Sequence, residues 1–189
     1  SFLQLFNPYG LLTAVLFVLL FLQHGALWLS YKCEGGIAER SRRVAGTLWF
    51  IVLIVAAGFL VLTGFATRLY DNYLSHPGWI AVPLLAVAAL VAVKVLHERA
   101  RPLLAFLSSC LTILLVIGTG LVGLFPNLIP SRLDPAASLT IYNSSSGPYT
   151  LRLMAIVALV FVPIVIVYQV LVYRFFRGKT PTGDSAEGY

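Results

Sequence analysis

Five stretches of this chain are apolar and long enough to cross a lipid bilayer: 8–31, 44–66, 79–96, 102–125 and 151–173. A hydrocarbon core of about 30 Å takes about 20 residues of helix, so length alone selects them. Composition points the same way. Hydrophobic residues make up 59% of the chain and charged residues 11%, with a mean hydropathy of +0.91. A soluble domain, about half apolar and a quarter charged, could not hide this much. The expected fold class is therefore all-α: a polytopic membrane bundle over 1–179 with five transmembrane helices, followed by a cytoplasmic tail at 180–189.

The basic residues give the orientation. Ten of the 13 Lys and Arg residues lie in 32–43, 94–101 and 174–179, which are alternate connections. Short loops rich in Lys and Arg stay on the cytoplasmic side. The connections 67–78 and 127–150 carry one base each and fall outside. The N-terminus of the chain is then outside and the C-terminus cytoplasmic. A first span entering from outside has little of its own to set its direction, which suggests a segment of something longer. Lys94, near the end of the third span, is expected to snorkel to the cytosolic headgroups. Pro163 should kink the fifth span. The net charge of +6 is spread over membrane-facing ends rather than a polar domain, so anionic lipid is the expected partner and nucleic acid is not. Tyr9, Trp28, Tyr31, Tyr70, Tyr73, Trp79, Tyr149 and Tyr173 lie near the predicted interfaces and read as anchoring belts.

In the fourth span, Ala105, Ser109, Thr112, Val116, Thr119 and Gly123 follow a four-three alternation, which places small and β-branched residues on one stripe. Lipid gives helices no hydrophobic reason to associate, so close approach and hydroxyl hydrogen bonds must supply it. We expect this stripe to face another helix. The connection 127–150 is rich in turn formers, including Pro126, Pro130, Asp134-Pro135 and Ser144-Ser145-Ser146-Gly147-Pro148. Its apolar centre, Leu139-Thr140-Ile141-Tyr142, favours an ordered loop over a floppy one.

Candidates for chemistry are few. His24 is the histidine well within a span, whereas His76 and His97 sit at opposite membrane ends; a bis-His haem would need two imidazoles at one depth. A hydrogen-bonded packing role for His24 is the stronger reading. Glu34, Glu39, Asp71, Glu98, Asp134, Asp184 and Glu187 all fall in connections or the tail, so no midplane proton relay is visible. No GxxxxGK[ST], GxSxG or HExxH string occurs, which leaves nucleotide-driven and hydrolytic chemistry without a seat. Cys33 and Cys110 belong to different depths and predict no disulfide. Neither a catalytic nor a metal-binding residue is assigned, and a cofactor-binding set is not identifiable. A permease component is the rival reading; Pro83 and Pro163 are its candidate helix breaks, with no charged residue beside them.

Particular strings add a resemblance. Asn7-Pro8-Tyr9-Gly10-Leu11-Leu12, His24-Gly25-Ala26, Glu34-Gly35 and the loop from Glu39-Arg40 to Arg43 resemble the middle of subunit II of cytochrome bd-type quinol oxidases. Downstream, Leu124-Phe125-Pro126, Ile129-Pro130-Ser131, Ser138-Leu139-Thr140-Ile141-Tyr142-Asn143, Tyr149-Thr150-Leu151 and Val162-Pro163-Ile164 resemble that family's closing outer loop and last helix. Tyr173-Arg174 and Phe176-Arg177-Gly178-Lys179 resemble its cytoplasmic exit. The resemblance implies the fourth helix and second four-helix bundle of an eight-helix subunit in a bacterial or archaeal cytoplasmic membrane. It further implies a complex that oxidises quinol and reduces dioxygen to water. The b- and d-type haems would be ligated by a haem-bearing subunit I, which this chain scaffolds; a bound quinone and small accessory subunits are further possible partners. The family's proton-route acids belong to its N-terminal helices and match no position here. Gly25, His24 and Trp28 form a polar and aromatic spot in the first span, to which no quinone site is assigned.

Overall fold

The computed structural model describes residues 7–131, 137–176 and 178. Arg132, Asp134, Pro135, Arg177, Lys179 and the tail 180–189 lie outside them. The described chain is all-α apart from one short hairpin, with helices α1 (Pro8–Lys32), α2 (Gly35–Ala66), α3 (Leu69–Ser75), α4 (Ala81–Glu98), α5 (Pro102–Leu124) and α6 (Pro148–Phe175). A 3-10 turn at Pro77–Ile80 leads into α4. Five of these segments are long and apolar enough to span a membrane.

The helices form two compact units, one up to Leu124 and one over Phe125–Gly178. In the first unit, α1 starts at Pro8, whose missing N–H is no loss at that position. Asn7 caps it, its side-chain oxygen accepting from the Gly10 N–H at 2.6 Å. The chain reverses through Gly35, at φ 66, a left-handed value that glycine adopts freely. The basic segment expected to be a loop is then already helical. α2 begins at Gly35 and carries Glu39, Arg40, Arg42 and Arg43 on its first turns, residues that favour helix wherever water can solvate their charges.

The turn from α4 to α5 is a Schellman motif. The Arg101 N–H donates to the Leu96 carbonyl at 3.0 Å and the Ala100 N–H to that of His97 at 3.1 Å. Ala100 occupies the left-handed position at φ 53, where glycine is the usual residue. An L-residue with a Cβ costs about 1–2 kcal/mol there, part of which glycine returns as chain entropy. Ala100→Gly is therefore expected to raise stability by about 0.5–1 kcal/mol, read as a higher unfolding temperature in detergent.

The core of this unit is made by Leu16, Leu20 and Leu27 of α1, Trp49 and Val52 of α2, Leu90 and Val93 of α4, and Ala105 of α5. What is buried and what is exposed run against the soluble rule. Gln23, Thr63, Ser109 and Thr112 are inside, while Ile54, Leu84, Leu114 and Leu121 are exposed. This is what a lipid solvent selects: polar and small groups between helices, large apolar groups outward.

In the second unit, β1 (Asn127–Ile129) pairs antiparallel with β2 (Leu139–Thr140), Asn127 opposite Thr140 and Ile129 opposite Leu139, with an irregularity between them. Asn143 ties the hairpin end. Its side-chain amide donates to the Ser138 carbonyl at 2.9 Å, and its oxygen accepts from the Thr140 N–H at 2.7 Å. Ser138 is buried and accepts from the Ser131 N–H at 3.0 Å. Among the described residues, the side chains of Asn143 and Ser138 tie the two ends of this connection to its main chain. α6 runs as one helix through Pro163, which lacks the N–H that would reach Leu159.

Candidate functional site

The groups singled out in the sequence gather along the helix contacts of the first unit. On α5, Ala105, Ser109, Thr112 and Gly123 are buried, and Val116 and Thr119 partly so. Ser109 meets α1, where its Oγ lies 2.8 Å from His24 Nδ1. The same hydroxyl donates to the Phe106 carbonyl at 2.7 Å, which uses its single proton. Ser109 must then accept from His24, so a neutral imidazole carries its hydrogen on Nδ1 and its lone pair on Nε2. Phe106 stacks on the His24 ring with centroids 4.5 Å apart, and Trp28 packs on Phe106 at 4.9 Å. Beside them, Gln23 is 2% exposed and its Nε2 has no hydrogen-bond partner among the described residues.

Trp49 joins α2 to α4. Its indole N–H donates to the Leu90 carbonyl at 2.8 Å. Ser108 joins α5 to α4 by donating to the Ala89 carbonyl at 2.9 Å. Lys94, expected to snorkel to headgroups, has protein partners: its ammonium forms an ion pair with Glu98 at 3.1 Å and sits 4.4 Å from the Phe50 ring centroid and 5.6 Å from that of Trp49. The aromatic faces and the carboxylate together replace part of the water it gives up.

At the opposite end, α3 closes the bundle, a helix that the sequence reading missed. Asn72 donates to the Gly123 carbonyl at 2.9 Å, one of the last carbonyls of α5 that has no partner within its own helix. The Tyr73 phenol donates to the Thr119 carbonyl at 2.6 Å. Burial pushes the Tyr73 phenol above its usual range, so it stays protonated and remains a donor. Tyr73 is 5% exposed, which corrects its reading as an interfacial anchor. Tyr70 likewise donates to the Leu60 carbonyl at 2.6 Å. Tyr9 stacks on Phe59 at 5.4 Å and bonds Thr63 at 3.2 Å. The signal available in the sequence was spacing: Tyr70, Asn72 and Tyr73 are polar-tipped residues within one short segment flanked by spans.

The imidazoles do not fit a haem ligated by a histidine pair. His24 lies within α1, His76 stacks on Trp79 at 4.4 Å before α4, and His97 is at the far end of α4, some 30 Å of helix from His76. Among the described residues, no three or more His, Cys, Asp or Glu side chains cluster as a metal site. His24→Ala is therefore expected to leave unchanged the haem content and optical spectrum of any haem protein that co-purifies with the chain. Loss of the Ser109 bond and the Phe106 stack should cost about 1–2 kcal/mol of stability, and a changed spectrum would reverse the assignment.

Lipid-facing apolar surfaces, small and hydroxyl-bearing contact faces, and polar groups committed to helix contacts define a multi-pass α-helical membrane protein. The chain belongs to the cytochrome bd terminal oxidase subunit II family, whose profile matches residues 1–176. It is 30% identical over 175 residues to cytochrome bd ubiquinol oxidase subunit 2 of Bacillus subtilis, covering 92% of this chain and 51% of that protein. Identity to the probable cytochrome oxidase subunit 2 of Haemophilus influenzae is 30% over 95% of this chain and 54% of the relative. With cytochrome bd-I ubiquinol oxidase subunit 2 of Escherichia coli K12 it is 28%, over 97% and 56%. The chain thus spans about half the length of these curated relatives.

Proposed function

We propose that this chain is a scaffolding segment of a membrane quinol oxidase, packing against a haem-bearing subunit I that oxidises quinol and reduces dioxygen to water. The observation that carries this reading is the use made of polar side chains: His24, Trp49, Asn72, Tyr73 and Ser108 are all engaged in contacts between helices. Family membership supports the proposed reaction; b- and d-type haems on the partner would carry electrons from quinol to oxygen. The helix-packing role of Ala105, Ser109, Thr112, Thr119 and Gly123 belongs to the same proposal. Quinone, lipids and small accessory subunits are its further partners. The basic connections 32–43 and 94–101 are proposed to face the cytoplasm, with the chain's first residues outside.

A permease component is not favoured. α4 passes through Pro83 and α6 through Pro163 as unbroken elements, whereas a transporter of that kind presents interrupted helices at the midplane. Purification in mild detergent through a tag at the C-terminal end tests the proposal, with an optical spectrum and quinol-driven oxygen uptake measured on the product. A co-purifying haem protein with oxidase activity is the expected result. Haem-free, inactive protein recovered alone in good yield would overturn it.

A further inference from the structure

The α2–α4 contact opens into a cleft of ≈ 630 Å³ at the basic end of both helices, and nothing in the scaffolding role uses it. Glu39, Arg42, Arg43, Gly46, Thr47, Phe50 and Ile51 line it from α2, and Lys94 and His97 from α4. The spacing explains the shared wall: residues three and four apart on α2 lie on one face. Two guanidinium groups stand at its polar end, and they form no ion pair with the described residues. Lys94 adds a third cation, shared with Glu98, while Glu39 is the one carboxylate in the lining. At Gly46 the α2 backbone comes close to His97: a Cβ there would lie 3.3 Å from His97 Nε2. Phe50 and Ile51 lie two helical turns further along α2 toward the middle of the span, so the charged mouth continues into an apolar wall.

We propose that this cleft binds the headgroup phosphodiester of an anionic phospholipid, with Arg42 and Arg43 on the phosphate and Phe50 and Ile51 against the first part of an acyl chain. Arginine suits this ligand because its planar fork can donate two bonds to one phosphate. The amphipathic lining selects a lipid over a free ion: inorganic phosphate would use the cations and leave the apolar wall without a partner. The volume also falls in the range of small-molecule sites, about 300–1,000 Å³. This inference does not rest on the oxidase reading, since its test needs no turnover.

The test is native mass spectrometry of the full chain, purified in mild detergent with whatever assembles with it. The probes are dioleoylphosphatidylglycerol, dioleoylphosphatidylcholine and inorganic phosphate. The wild type should hold phosphatidylglycerol in preference to phosphatidylcholine. Each arginine near the surface is worth about fivefold in affinity, so R42Q/R43Q should weaken phosphatidylglycerol about 25-fold. Glu39→Gln removes the repelling carboxylate and should tighten it by about two- to fivefold; this variant keeps the proposal falsifiable if the double variant does not fold. Equal retention of the two lipids, or phosphatidylglycerol affinity unmoved by Glu39→Gln, would overturn the site. Inorganic phosphate that displaces the lipid with the same arginine dependence would assign the cleft to free phosphate and overturn the lipid.

Discussion

Trp49→Ala is expected to lower the stability of the detergent-solubilised protein by about 3 kcal/mol, the largest effect of any single truncation in the bundle. The side chain is buried between α2 and α4 and bonds the Leu90 carbonyl. In water, such a loss combines a transfer term and a cavity term. In lipid or detergent the transfer term shrinks because the surroundings are already apolar, so lost packing contacts and the lost bond carry most of the cost. Trp49→Phe separates the two. It keeps most of the volume and removes the donor, so about 1 kcal/mol should remain. Thermal unfolding of both variants checks this, and equal costs for Phe and Ala would mean that packing around Trp49 contributes little. Lys94, 5.6 Å from the Trp49 ring, loses one aromatic face in the Ala variant only.

Gly123→Leu should detach α3 from the end of α5. Even a Cβ at Gly123 would overlap Leu69 and come within 3.2 Å of Tyr73. Overpacking of this kind costs about 1–3 kcal/mol, and because α3 is seven residues long the cheapest response is for it to move as a whole. Asn72 and Tyr73 would then leave the Gly123 and Thr119 carbonyls. The expected readout is a lower unfolding temperature together with faster proteolysis in the segment 67–78. Leu69→Ala opens the space that the new side chain needs and should return part of the loss, a positive coupling in a double-mutant cycle. Strict additivity of the two substitutions would show that they do not meet.

Apolar length was enough to place the long helices, because a span is limited by membrane thickness rather than by any particular residue. The edges were less legible. α2 continues back to Gly35 since Glu39 and Arg40 are compatible with helix and only their charge, not their propensity, marked the segment as a connection. α3 is too short to carry a periodic signal, and the preference of Tyr and Trp for interfaces hid the fact that Tyr73 is buried. His24 and the α5 stripe were each visible, but their meeting at Ser109 joins residues 85 positions apart, and no local pattern encodes that pairing. The Lys94 site was half legible: its depth predicted an exposed ammonium, whereas the rings that cover it come from α2.

Most of the bonds between helices have a side chain on one side and a main-chain carbonyl on the other: Trp49 to Leu90, Ser108 to Ala89, Tyr73 to Thr119, Asn72 to Gly123. Every residue type brings a carbonyl, so the accepting position is free to drift without losing the bond so long as its volume still fits. The donating position has no such freedom. Mutational tolerance across each contact should therefore be lopsided, with Trp49 and Ser108 intolerant where Leu90 and Ala89 accept apolar exchanges of similar size. Homologous chains can diverge widely under that rule and still keep one arrangement of helices.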